Sequence, residues 1–458
     1  MRLFASQRCR SSLRIQRMVL ITTRRKTARN MAALLGRMIA VLALMAACSA
    51  SAQVEVRLWS LLSGGDGARM QAIIADFNAS QREVRVISTT LNWGEPFYTK
   101  LITASVVGAG PDVATVHLSR MSNLAGGGVL RAISARDLQH AGLDKASFYS
   151  RQWEKASFNG EVHAIPLDLH MLVMYYNKTL TGRAGLLDAD GKLKPIAGIA
   201  ALTQAFRRVK ERTGEKGMTM ESGNNSYAIW RLWLSMLAQR HTPLINDTQF
   251  AYGPAGVETL EVISDWYANG YASPGLDYPA STGQFLGGKA GFMINGVWEV
   301  PTLAAAREKR TLPFDYGIVP LPRMYDDASA WGDSHAFAIP ANGKRPPSDA
   351  KVDAVLKFVA YVSKHSIRWA EGGHIPAYRP VAESAAARAL MPNAMYADAA
   401  RNVIYDPDRW YAGAAGPLQS IASKFLPAAL AGQLSPAQAL HMFEAESARL
   451  LVKRAPKY

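Results

Sequence analysis

From residue 54 the chain alternates apolar and polar positions, Val54, Val56 and Leu58 being separated by Glu55 and Arg57, and a period of two predicts a strand. Gly64-Gly65-Asp66-Gly67 breaks that strand. Met70, Ile73, Ile74 and Phe77 then recur at i, i+3, i+4 and i+7, the apolar stripe of a helix ending near Asn78. Val84 to Ile87 reads as a second strand. Tyr98, Leu101 and Ile102 mark a helix stopped by Gly108 and Pro111. Val113 to Val116 reads as a third strand, and the helix after it ends in Gly126-Gly127-Gly128. Strands and helices in this rhythm predict a parallel α/β sheet.

The second half is richer in helix. Leu202, Ala205, Phe206 and Val209 form one stripe, Tyr227, Trp230, Leu234 and Leu237 another, and Val257, Leu260, Ser264 and Tyr267 a third. Leu356, Val359 and Ala360 predict a helix before Gly372-Gly373. A final helix starts near Pro436 and carries Leu440, Phe443, Ser447 and Leu451. There is no internal repeat and no low-complexity linker. The length predicts two domains, and two domains without a linker predict a chain that passes between them more than once.

The segment before residue 54 has a different character. Arg37 is followed by an apolar run, Met38 to Ala47, and by Ala50-Ser51-Ala52 ahead of Gln53, which is the layout of a secretory signal with cleavage before Gln53. The run is too short to span a bilayer. Residues 1–52 hold ten of the 52 Lys and Arg and none of the Asp and Glu, which takes the formal +16 down by ten to +6. The high net charge is therefore no sign of nucleic-acid binding. Arg2 to Asn30 is basic and irregular, and translation starting at Met31 or Met38 is an alternative. Both cysteines, Cys9 and Cys48, fall in this segment, so the exported chain needs neither disulfides nor thiol chemistry. Met45-Ala46-Ala47-Cys48 loosely matches a lipoprotein cleavage site, leaving a lipid anchor on Cys48 as the alternative to release into the periplasm.

Several segments, in order, carry a family resemblance. They are Val56-Arg57-Leu58-Trp59 with Gly64-Gly65-Asp66; Gly110-Pro111-Asp112-Val113 with Gly128-Val129-Leu130; Ile165-Pro166-Leu167-Asp168 with Tyr175-Tyr176-Asn177-Lys178; Gly288-Lys289-Ala290-Gly291-Phe292 with Asn295-Gly296-Val297-Trp298; and Tyr316-Gly317-Ile318-Val319-Pro320. Together they resemble the extracellular solute-binding proteins of ABC importers, the carbohydrate-type group that includes maltose-binding protein. The resemblance implies an α/β fold of two lobes, each a mostly parallel sheet flanked by helices, with a ligand cleft at the hinge. It implies lobe one over 54–166 and 337–380 and lobe two over 167–336 and 381–458. It also implies a monomer that takes a sugar or oligosaccharide to membrane permease subunits, without a cofactor, a metal or nucleic acid.

A sugar offers apolar C–H faces and a rim of hydroxyls, which call for aromatic rings and for carboxylates, amides and guanidinium groups. Trp298 matches the family's Asn-Gly-x-Trp segment, with Asn295 beside it, and is the leading stacking candidate. Trp331 precedes Gly332-Asp333-Ser334-His335, a polar turn on which it should be accessible. Trp230 and Trp233 lie in a helical stripe and belong in the core. Tyr227 at that helix's start and Trp93 in a loop are further candidates, as are Ser63 and Asp66 at the start of the first helix, where Asp66 also suits a cap. Asp168 and His170 lie at the implied crossover, where the alternatives are a ligand hydroxyl and a salt bridge within the hinge. His117 and Ser119 follow the third strand at its C-terminal end. Asp333, His335 and Arg379 complete the set. Val116 and Ser119 stand where maltose-binding protein has an aromatic residue and an Asp, which argues against maltose itself.

Other chemistries are signalled less. Gly288-Lys289 is followed by Ala290 where a phosphate-binding loop needs Ser or Thr. The nine His contain no His-Glu-x-x-His and no close ligand pairs. A secreted glycosidase would need two paired carboxylates, which sequence alone cannot pair. A phosphorylated solute such as glycerol phosphate would favour converging Arg and Lys, and the candidate loops are richer in Trp, Asp, Asn and His.

Overall fold

Parallel neighbours need a crossover, and the first apolar stripe supplies one: the helix Gly64–Ser80 carries the chain from the strand Val54–Ser60 to its parallel partner Val84–Thr90. In the computed structural model the strand Val113–His117 adds to the other edge of Val54–Ser60, again parallel. His335–Ala338 then pairs antiparallel with it, and Ala164–Pro166 completes a five-stranded sheet. Met70, Ile73, Ile74 and Phe77 are all buried, as the helical period requires. The glycines at 64, 65 and 67 do not end the strand in a loop; they sit in the first turn of the helix. Gly65 is small for a reason of packing: a Cβ there would lie 2.5 Å from Cβ of Pro301.

The structure describes residues 53–458 together with Met31 and Met38. The predicted cleavage site, and Cys48 with its lipid-anchor alternative, lie outside the described residues. Val54–Tyr458 is a compact unit, and no described helix is long and apolar enough to cross a membrane.

A second, seven-stranded sheet is built on Asp168–Asn177, a strand buried at every position. Burial on both faces explains why its sequence reads as an apolar run rather than an alternation. Four strands, Ala290–Gly296, Tyr316–Pro320, Ala330–Asp333 and Ile375–Pro376, pair with it, all antiparallel. Lys216–Thr219 and Val403–Ile404 join parallel to the outer members. The expectation of a mostly parallel sheet thus holds for the direction shared by the other strands, and the central strand runs against them. Each sheet has its own core. Val56, Leu58, Phe77, Phe337, Phe358 and Trp369 anchor the first. Phe206, Trp230, Trp233, Trp266, Phe292 and Phe443 anchor the second, so Trp230 and Trp233 are core residues as their stripe predicts.

The chain passes between the sheets at three places close together. Only Leu167 separates the strands ending at Pro166 and starting at Asp168, and only Ser334 separates those ending at Asp333 and starting at His335. The third passage, Glu371 to His374, links the helix Ile367–Ala370 to Ile375–Pro376. Trp331 and Asp333 therefore lie in a strand rather than in a polar turn, and this corrects the accessible placement expected for Trp331, which is 1 % exposed.

Gly373 lets the third passage come close to its neighbours. Its φ is +94°, and a Cβ there would stand 2.4 Å from the Val297 carbonyl oxygen. Gly373→Ala should therefore lose about 3 kcal/mol through backbone strain and clash together. Urea unfolding checks this, and an unchanged midpoint would mean that the passage can relax at no cost.

Candidate functional site

All three passages converge on one carboxylate. Asp168 is 0 % exposed. Its Oδ1 accepts from the His335 backbone N–H at 2.8 Å and faces His170 Nδ1 at 3.2 Å. Its Oδ2 meets His335 Nδ1 at 2.8 Å, the Trp369 indole N–H at 2.8 Å and His374 Nδ1 at 3.0 Å. His374 Nε2 in turn faces Asp66 Oδ2 at 3.0 Å. An imidazole with a carboxylate against each nitrogen is favoured as the imidazolium. Burial opposes that charge, but Asp66 and Asp168 outweigh it and hold the His374 pKa up at about 10. Burial would likewise raise Asp168, yet the imidazoles of His335 and His374 keep its carboxyl well below the usual range.

Beside this hub opens a cavity of about 400 Å³, within the range of small-molecule sites. Of the residues expected from sequence, Ser63, Asp66, Trp93, His117, His170, Tyr227, Trp298, Trp331 and His335 line it. Trp93 comes from the first lobe and Tyr227 from the second, and their rings meet edge to face with centroids 5.5 Å apart. Trp298 lies against His170, 5.7 Å between centroids, and its indole N–H donates to the Tyr278 hydroxyl at 2.8 Å. Burial drives the imidazole pKa values down: that of His117 well below its ordinary value and that of His170 to about 3. Both rings are therefore neutral, able to offer one donor and one acceptor. Trp331 reaches the cavity as a buried wall, its N–H held by Asp406 at 2.8 Å.

Five expected residues stand outside the cavity lining. Asp168 is saturated by the hub, which decides its two alternatives in favour of the internal ion pair. Ser119 and Asp333 bond to each other, and Ser119 Oγ also accepts the Ala414 N–H at 3.0 Å. Asn295 turns its amide to the Gly296 N–H and the Tyr278 hydroxyl. Arg379 is exposed and paired with Glu383, which caps the end of its short helix Arg379–Ala382. Asp66 makes no cap either: it lies inside the first turn, and Ser63 holds the N-cap position without a side-chain bond.

The cavity also holds residues that the sequence reading passed over: Glu221, Asn225, Arg231, Tyr278, Glu299 and Thr302. Arg231 is buried in the apolar-looking helix Ala228–Gln239, where the stripe concealed it. Glu221 and Asn225 flank Gly223, in the loop from which Tyr227 was drawn, and that loop was the available signal.

The histidines gather far more closely than their spacing predicts. Asp168, His170, His335 and His374 bring ligand-type atoms within 4.8 Å of one another, as do His117, His170 and Asp333. These are metal-ligating residue types. In the first group His374 lies between the carboxylates of Asp66 and Asp168, and the Asp168 oxygens are engaged by His335, His170 and Trp369, the arrangement of an ion-pair network.

Comparison with known proteins gives a consistent family. The model for "Bacterial extracellular solute-binding protein" matches residues 72–401. A maltotriose-binding protein of Pyrococcus abyssi is 22 % identical over 281 residues, 60 % of this chain and 55 % of that protein. An arabinooligosaccharide-binding protein of Bacillus subtilis is 23 % identical over 232 residues, 48 % of this chain and 50 % of that protein. The chain thus spans about half the length of the curated relatives it matches. Among solved structures, the GacH receptor of Streptomyces glaucescens superposes with a TM-score of 0.74 at 20 % identity, covering 88 % of this chain and 100 % of that one. Maltose-bound MalE3 of T. maritima gives 0.73 at 16 % identity, over 87 % and 100 %. These likenesses establish the two-lobed α/β fold.

The hub makes stability depend on pH in a defined direction. The His374 pKa is raised in the fold, so its contribution is complete below its ordinary value of 6.5 and is lost as pH climbs through about 10. Asp168 is depressed, so its contribution is lost on the acid side, as pH falls below about 4. Thermal melting should show a midpoint that drops between about pH 6.5 and 10, with a flatter profile in His374→Gln. Parallel profiles would remove the imidazolium from the hub.

Proposed function

The chain belongs to the bacterial extracellular solute-binding protein family, and from that premise we propose that it is the carbohydrate-capturing component of an ABC importer. The observation that carries this reading is the cleft itself. Trp93, Tyr227 and Trp298 offer ring faces and edges, while neutral imidazoles and carboxyls form the polar rim, the pairing a sugar's C–H faces and hydroxyls need. Relatives named for maltotriose and arabinooligosaccharide binding support an oligosaccharide over a free ion or peptide.

On this reading the sugar docks on one lobe, the three passages flex, and the other lobe closes over it. Ligand shifts that equilibrium only by its preference for the closed form. The loaded protein then docks on permease subunits and releases its sugar unchanged, so it is a carrier and not a glycosidase. The signal-like leader supports a periplasmic location, with anchoring through Cys48 as the variant form.

The test is a thermal-shift and calorimetry panel of sugars, oligosaccharides, polyols and glycerol phosphates, with the ligand recovered and weighed by mass spectrometry. A raised melting temperature with one sugar, recovered intact, is expected. A cleaved sugar would make the protein an enzyme, and a response to phosphorylated solutes alone would overturn the ligand class. Trp298→Ala should weaken binding of the responding sugar about tenfold to a hundredfold. Unchanged affinity would take Trp298 out of the site.

A further inference from the structure

Arg231 sits in the first turn of the helix Ala228–Gln239, is 8 % exposed, and lines the cleft. Three indoles surround it. Its Cζ lies 4.5 Å from the Trp331 ring centroid, 5.3 Å from that of Trp298 and 5.5 Å from that of Trp93. Ring faces attract the cation through space, but they do not satisfy its N–H groups, which lie in the guanidinium plane and point from its edge. The Nε is buried with no hydrogen-bond partner among the described residues. Glu221 and Asp406 act on the group only through space. Arg120, another buried guanidinium, also has an unpartnered Nε, but its terminal nitrogens donate to Asn123 Oδ1 at 2.8 Å and to the Ala414 carbonyl at 3.4 Å, whereas those of Arg231 make no such bond among the described residues. A buried arginine without an acceptor is costly unless something entering the cleft provides one.

We propose that the cleft takes an acidic carbohydrate, a uronic acid or an oligosaccharide containing one, whose carboxylate pairs with the edge of Arg231 while its ring packs among the tryptophans. This rests on the reading of the cleft as a sugar site and narrows it. The planar fork of a guanidinium matches a carboxylate in shape. Charge argues for the same group over a phosphate. No lysine lines the cavity. The His374 imidazolium is already held between two carboxylates. The N-terminus of the helix Gly64–Ser80 already carries Asp66 in its first turn. One unmatched positive charge balances one carboxylate, and a phosphate dianion would leave charge unpaired in a buried site. The two other carboxyls of the cavity, Glu221 and Glu299, form no ion pair with Arg231 among the described residues, and burial raises the pKa of both. Hydroxyls of a neutral sugar could accept from the same edge, but they would leave the arginine charge without a counter-ion. The candidate loops are poor in arginine because this arginine lies in a helix.

Calorimetry on the purified protein tests it, with D-glucuronate, D-galacturonate and their oligosaccharides set against glucose, galactose and the matching neutral oligosaccharides. The expected result is an acidic ligand preferred over its neutral counterpart by about a hundredfold, the scale of a buried charge pair. Arg231→Gln should erase that preference by losing the acidic ligand while changing affinity for the neutral counterpart only a few-fold. Arg231→Lys should restore part of it, and a purely structural arginine would move both ligands together. A neutral sugar that binds as well as or better than the acids, or a preference that survives in Arg231→Gln, overturns the proposal and leaves a carbohydrate carrier. If no sugar of either kind binds, the carbohydrate reading fails and this inference with it.

Discussion

The molecule turns on a carboxylate that water cannot reach. Asp168 begins the strand after the first passage between the sheets, His335 begins the strand after the second, and His374 ends the third. Isolated, a buried carboxylate would be expensive. Here Trp369, His335, His170 and the His374 imidazolium surround it, and Asp66 balances the far side of that imidazolium. Removing one partner would strand a charge, which costs far more than the intact pair gains. The network therefore ties three chain segments, distant in sequence, to one point, and lets a linkerless chain carry two lobes on one pivot.

The same hub prepares the cavity floor. The Asp168 carboxylate at Nδ1 of His335 draws a proton there and fixes the ring's orientation towards the cleft. His117 is fixed by a hydroxyl instead: Tyr98 Oη accepts the His117 backbone N–H at 3.1 Å and lies 2.7 Å from its Nδ1. Since His335 and His117 pair across two neighbouring strands, their rings reach the cleft from one end of the first sheet. His170 joins them from the central strand of the second. The chain thus sets rigid, oriented imidazoles at the bottom of the cleft and leaves the aromatic groups at 93 and 227 on elements belonging to different lobes.

Periodicity made much of the first lobe legible. Its strands and the buried face of Gly64–Ser80 follow from apolar spacing alone, and so do the core helices of the second lobe. The site was legible only where local pattern marks it, at loop aromatics and at the ends of strands. It failed in two physical situations. Polar residues buried in strands, such as Asp168, Ser119 and Asp333, look like ligand groups because sequence does not show the partners that satisfy them. A charged residue on a core helix, Arg231, looks like a solvated position because the stripe gives no hint that its surroundings are three indoles. Long-range pairing also hid the histidine cluster, whose members lie far apart along the chain and meet only because the passages meet.

Pivot and rim differ in strength, and that difference suits a carrier. Near the pivot the contacts are buried and polar, including the ion pairs of Asp168 and the hydrogen bond of Ser119 to Asp333 beside the second passage. Farther out, the lobes meet through groups of little energetic weight. Lys155 and Asp408 form an exposed ion pair at 2.6 Å, a type worth about 0–1 kcal/mol. The edge contact of Trp93 with Tyr227 adds an amount of similar order, about 0.5–1.5 kcal/mol beyond its buried area. Contacts this weak can be broken and remade without disturbing the hub. A ligand needs about 5.5 kcal/mol of preference for the closed form to swing a two-state population from 1:99 to 99:1. Ring stacking together with pairing of a buried charge is of that order, so the groups that recognise the ligand would also be the ones able to close the protein around it.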